Sequence, residues 1–144
     1  MWEYAIKGFT VLMLGITAIQ DIRWKKVRVA IVWAAALLIC ICIPFSSRMP
    51  VIERLLGVIS GLGVVLLSKI TGGKIGLGDG LVLAVTGMGL GFWGNIELFA
   101  LALALAAVFS IGLIIIRRAN RKKIIPFIPF ILLAYMLLNI SYVL

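Results

Sequence analysis

The chain has 144 residues, of which 64% are hydrophobic and 13% charged, with a mean hydropathy of +1.24. A soluble domain of this length has no interior large enough to hide that much apolar surface, so the composition points to an integral membrane protein. Its net charge of +9 lies in short Lys/Arg clusters between apolar runs, which reads as membrane topology and not as a nucleic-acid interface, and the absence of histidine excludes Ser-His-Asp and Cys-His catalysis and every His-based metal site.

A window of about 20 residues, the length that crosses roughly 30 Å of hydrocarbon, predicts six spans in chain order. They cover 3–20, 29–45, 51–69, 80–94, 96–116 and 124–143. The first has Glu3 near its start, no cationic n-region and no small-residue cleavage site, so it reads as a span that stays attached. In the second, Cys40 and Cys42 point to different sides of a helix, which suits neither a disulfide nor a zinc site. The third carries Gly57 and Gly61 as a G-x-x-x-G pair and the fourth Gly87 and Gly91; such small residues let helices approach closely. At a rise of about 1.5 Å per residue the fourth is only about 22 Å long, short for a crossing. "GLGFWG", 89–94, matches G-x-G-x-x-G but has no preceding strand, so a dinucleotide site is rejected, and "TGGKIGLG", 71–78, lacks the P-loop spacing. Alanines line the fifth span, and Pro126 and Pro129 are expected to break or kink the backbone where the sixth begins. Short loops make the whole chain, 1–144, a single all-α polytopic bundle.

Orientation follows from the basic residues. Arg23, Lys25, Lys26 and Arg28 follow the first span, Lys69 and Lys74 the third, and Arg117, Arg118, Arg121, Lys122 and Lys123 the fifth. Lys7, Arg48 and Arg54 fall on the other side, so the count is eleven against three and both termini are expected outside. Trp24, Phe92, Trp93 and Tyr142 then fall near the predicted interfaces, where amphipathic rings prefer to sit.

Five acids remain to be placed. Glu3, Glu53 and Glu97 go to the outer side; Asp21, ending the first span, and Asp79, beginning the fourth, share the cytoplasmic side. Each has a structural explanation. Asp79 suits a helix N-cap, and Asp21 suits an interfacial charge neutralised by Arg23 or Lys25. Together they also suit a paired-carboxylate site, because ionisable groups are scarce and costly at membrane depth.

Three stretches resemble one family. "GLGD", 76–79, resembles the G-x-G-D signature of membrane aspartic peptidases; "QDIRWKKV", 20–27, is similar to the Asp-plus-basic segment after the first helix of type IV prepilin peptidases; and "IPFIPFILLAYML", 125–137, resembles that family's Pro-Phe-x-Pro-Phe stretch before its last helix. The resemblance implies an aspartic endopeptidase of the cell membrane, with Asp21 and Asp79 as its dyad at the cytoplasmic face, no cofactor, and prepilin or pseudopilin precursors of type IV pili or protein secretion as substrates. Two departures stand beside it. Val27-Arg28-Val29 occupies the place of the family's frequent Ile-Pro-Asn, and Gly80-Leu81 that of Val-Lys. The larger bifunctional members resemble this chain only in their peptidase core, since paired C-x-x-C zinc motifs are absent from the sequence, so methylation of the product is not carried over.

The expected chemistry has a physical basis. Two carboxylates about 4 Å apart at an effective dielectric near 20 repel by roughly 4 kcal/mol, which favours sharing one proton between them. The ionised member then activates water while the protonated one hydrogen-bonds the scissile carbonyl. Gly76, Gly78 and Gly80 are expected to shape the backbone around Asp79 by taking positive φ and admitting an extended substrate strand, with a plain flexible turn as the alternative. The basic loops attract anionic membrane lipid but not a cationic leader. Rival readings are a small transporter, which would place acids near the midplane, and a structural subunit of a membrane complex, which would need neither aspartate. A Ser68–Lys69 dyad is disfavoured because adjacent helical residues face apart.

Overall fold

A computed structural model describes residues 1–46, 49–70, 72, 76–116 and 125–141. The described residues are helical, with no strand among them: α1 (Trp2–Trp24), α2 (Val29–Cys42) running into a 3-10 turn (Ile43–Phe45), α3 (Val51–Ile70), α4 (Leu77–Ile115) and α5 (Ile128–Ser141). Three of these, α1, α3 and α4, are long and apolar enough to cross a membrane, while Val29–Phe45 and Ile128–Ile140 are shorter apolar helices. Arg48, Lys74, Tyr142 and the basic run at 117–123 lie outside the described residues.

The helices α1 and α3 each bury one stripe at helical spacing and turn large aliphatic groups outward. In α1 the buried stripe is Ile6, Thr10, Met13, Leu14, Thr17 and Asp21, and Leu12, Ile16 and Ile19 face out. The two threonine hydroxyls donate to the Ile6 and Met13 carbonyls at 2.8 and 2.7 Å, so neither leaves an unpaired polar atom in the apolar interior. In α3 the stripe is Arg54, Gly57, Gly61, Val64 and Ser68. An outward apolar surface of this extent matches hydrocarbon and not water.

α4 is the centre of the bundle and is not one rod. At Gly91 φ is 73° and ψ is −173°, a region open to essentially glycine alone. Beyond it the chain doubles back: Asn95 Nδ2 donates to the Leu83 carbonyl at 3.0 Å, although 12 residues of straight helix would hold these residues about 18 Å apart. The segments 77–90 and 92–115 therefore form a helical hairpin. The first is the inner one, buried at Gly80 and continuously from Val82 to Gly87.

Glycine makes this packing possible, as the sequence suggests. A Cβ on Gly57 would overlap the Gly87 carbonyl, and one on Gly61 would overlap the backbone of Ala84, so α3 and the first half of α4 meet backbone to backbone. Asn95 locks the hairpin to α3. Its Nδ2 also donates to Ser60 Oγ at 2.8 Å, and its Oδ1 accepts from Thr86 Oγ1 at 2.8 Å. Cys40 is exposed and Cys42 buried, both free, as their spacing requires.

The end of the bundle that holds the N-terminus of α1 is closed by charge. Arg54, only 2% exposed, meets Glu3 at 3.0 Å, donates to the Met88 carbonyl at 2.9 Å and to Ser46 Oγ at 2.7 Å, while Ser46 itself bonds Glu3. Glu3 and Arg54 share one side, as the charge pattern predicts, but the burial of Arg54 is not part of that pattern.

Candidate active site

At the other end of the bundle, α1 finishes and α4 begins. Lys25 stops α1 in the left-handed conformation (φ 50°), and its N–H donates to the Asp21 carbonyl at 3.0 Å. The turn to α2 is pinned by Gln20, whose Oε1 accepts from the Arg28 N–H at 3.1 Å. With this turn tight, Asp21 points inward from the last turn of α1.

Its partner is not one of the neighbouring cations. Asp21 Oδ2 accepts from the N–H of Ile128 at 3.1 Å, the first residue of α5. One of the donors that a helix start leaves unsatisfied is thus met by a carboxylate 107 residues away in sequence. The prolines fit the same geometry. Pro126 precedes α5 and Pro129 occupies its second position, where a missing N–H costs nothing, so the expected break falls just before Ile128 and Pro129 fits the first turn.

Asp79 stands in the first turn of α4, but the N-cap is Gly76. The Asp79 carboxyl curls back over that glycine: it bonds the Gly76 backbone, and a Cβ on Gly76 would lie 2.7 Å from Asp79 Oδ2. Asp79 therefore supplies the returning half of a capping box and is not the cap itself.

The glycines around Asp79 depart from expectation in how they work. Positive φ among described glycines occurs at Gly72 and Gly91, and not at Gly76, Gly78 or Gly80. These three act through the absence of a side chain. A Cβ on Gly78 would press on Val27 at 3.0 Å, and one on Gly80 would meet Val65 Cγ2 at 2.6 Å and the Val65 nitrogen at 2.8 Å. Their smallness draws the start of α4 against both the α1–α2 turn and α3, and that is what brings Asp79 to Asp21. Most of the 71–75 segment lies outside the described residues.

Asp21 and Asp79 line one cavity of about 700 Å³ and are close enough to interact electrostatically. Val64, Phe99, Leu103 and Phe127 form apolar wall, with Lys25 and Lys26 also lining it. The Phe99 and Phe127 rings meet edge to face at 6.2 Å, tying the returning half of α4 to the start of α5. Two acids in a partly apolar cavity, with room for water and a peptide backbone, can divide the roles of base and acid between them. Among the described residues no cluster of three or more His, Cys, Asp or Glu could hold a metal ion. Ser68 is fully buried and Lys69 exposed, so the two do not form a dyad.

The sequence marks Lys25 and Lys26 as topology signals, and Lys25 also as a counter-charge for Asp21, but gives no sign of the walls. Val64 and Phe99 looked like any other apolar span residue, and only the reversal at Gly91 brings Phe99 and Leu103 to Asp79. Comparison with protein-family models, curated proteins and solved structures finds no match. The three motif resemblances and the geometry of this cavity are the basis for a functional reading.

Proposed function

We propose that the chain is a membrane aspartic endopeptidase of the prepilin-peptidase type, in which Asp21 and Asp79 activate one water. One observation carries this reading: two aspartates 58 positions apart, each with a position of its own to fill at a helix end, face into a single cavity. The ionised carboxylate takes a proton from water as the oxygen attacks the scissile carbonyl, and the protonated partner hydrogen-bonds the developing oxyanion. The proton then passes to the leaving amine. Cations line the cavity beside Asp21 and a helix N-terminus faces Asp79, so each carboxylate has its own stabiliser for the ionised form and the two titrate as a pair.

On this reading the segments 77–90 and 92–115 cross separately, giving six crossings with α1, α2, α3 and α5. The reversal at Gly91 supports that count. Both termini then lie outside, and the aspartate end, with Arg23, Lys25, Lys26 and Lys69, faces the cytoplasm by the positive-inside rule. The substrate is a prepilin-like precursor in the cell membrane, cut on its cytoplasmic side.

The test is co-expression with candidate precursors. Asp21→Asn and Asp79→Asn should each abolish leader removal while the variants insert and accumulate like the parent; normal cleavage by either variant sinks the proposal. A structural subunit remains the second reading because Asp21 has a purely structural bond to Ile128. Under that reading Asp21→Asn, whose amide oxygen still accepts the N–H, changes nothing.

A further inference from the structure

Two walls of the carboxylate cavity, Val64 and Phe99, serve a second space as well. These two residues are also walls of a second depression, about 300 Å³, between α3 and the returning half of α4, where Ser60, Gly63, Leu67, Leu83, Asn95 and Ile96 complete the lining. The two spaces are therefore adjacent through shared side chains. From Ser60 to Leu67 the groove follows α3 for about two helical turns, roughly 10 Å.

The groove has polar residues but little polarity to offer. Ser60 Oγ donates to the Gly57 carbonyl at 2.7 Å and accepts from Asn95, whose Nδ2 and Oδ1 are committed to Leu83 and Thr86. A guest gains nothing there by hydrogen bonding, so it must be apolar. Gly63 adds a clear space: a Cβ built on it meets nothing within 4 Å, unlike Gly57 and Gly61 on the same helix, which are jammed against α4. Gly57 and Gly61 are explained by packing within the chain. Gly63 is not.

We propose that this groove seats the apolar helix of the polypeptide substrate, holding it beside the bundle so that the chain continues past Val64 and Phe99 to the aspartates. The inference rests on the peptidase reading and adds where the substrate lies. It commits to a helix over a lipid tail because the groove adjoins the carboxylate cavity, so that one continuous chain fills both.

Cross-linking tests this without turnover. The Asp79→Asn variant carries p-benzoylphenylalanine at Ile96, or at Leu12 on the exposed face of α1, and is irradiated in vesicles with a precursor that has one apolar helix. The expected result is a precursor adduct from position 96 and none from position 12. Adducts from position 12 alone, or from position 96 only to lipid or to a second copy of this chain, overturn the groove assignment. In an otherwise native chain, Gly63→Leu should lower precursor cleavage about tenfold, equivalent to about 1.4 kcal/mol, with its thermal midpoint unchanged and Leu12→Phe as a silent control. Cleavage by Gly63→Leu at the parental rate also overturns it. Failure of the peptidase reading looks different: Asp79→Asn would cleave as well as the parent, whatever the cross-links show.

Discussion

Asp21 does two jobs with one carboxylate, and they separate by substitution. Its Oδ2 receives the first N–H of α5 while the group faces the cavity shared with Asp79. Asparagine keeps an acceptor oxygen but has no ionisable proton; alanine keeps neither. We expect Asp21→Asn to lose cleavage with near-parental stability, and Asp21→Ala to lose cleavage and also about 1 kcal/mol of stability, the usual cost of a missing helix-start acceptor. Thermal unfolding in detergent beside the cleavage assay checks both. A dyad sharing one proton also fixes the shape of the pH profile. Activity should fall at low pH, where both carboxyls are protonated and no base remains, and again at high pH, where both are ionised and no acid remains. A single-limbed profile would mean one aspartate acts alone. Legibility was uneven at this scale. Both acids stood out in the sequence because acids are rare there, but their local bonds did not, since the partner of Asp21 is remote in sequence and the cap of α4 is a glycine without a side chain to announce it.

Among the helices, the hairpin in α4 matters most to the site. Hydropathy divides this apolar stretch near residue 95, close to the break, because apolar length alone sets that division. It could not tell which glycine reverses the chain: 89, 91 and 94 are equivalent in composition, and only Gly91 has a φ of 73°. Gly91→Ala forces a side chain into that conformation and brings its Cβ within 2.8 Å of Met49 Sδ. The expected cost is about 1–3 kcal/mol, read as a lower thermal midpoint, with cleavage reduced because Phe99 and Leu103 reach the cavity only through this turn. Asn95 was also invisible as a lock, because a lone amide in an apolar run has no pattern. Asn95→Leu should destabilise by about 0.6–1.7 kcal/mol, the range for hydrogen bonds between helices in lipid, and should also leave Ser60 and Thr86 with fewer partners.

At the scale of the whole molecule, the described residues gather charge at two ends of the bundle. One end holds the aspartates; the other holds the Glu3–Arg54–Ser46 cluster that fastens the start of α1 to α3 and to the Met88 carbonyl just before the Gly91 turn. Glu3→Gln leaves a buried guanidinium without its counter-charge and should cost roughly 3 kcal/mol, the lower end for breaking such a pair because Ser46 and Met88 remain bonded to it. Since the cluster is remote from the aspartates, the surviving folded fraction should cleave at the parental rate, which a stability-corrected assay measures. That Glu3 and Arg54 share one end and Arg23, Lys25 and Lys26 the other was legible from their positions along the chain. The burial of Arg54 was not, because the positive-inside rule counts charges without saying which are packed.

The unequal arms of the α4 hairpin carry one more consequence. On the proposed topology the inner arm, 77–90, reaches about 21 Å at the normal helical rise, against about 30 Å of hydrocarbon, while the outer arm continues apolar to Ile115. Because neighbouring helices enclose that arm, its end need not reach the membrane surface, and on this topology solvent reaches Asp79 below that surface through the cavity it shares with Asp21. If the proposed substrate helix is drawn to that spot, it meets water at the stretch where it must uncoil to be cut.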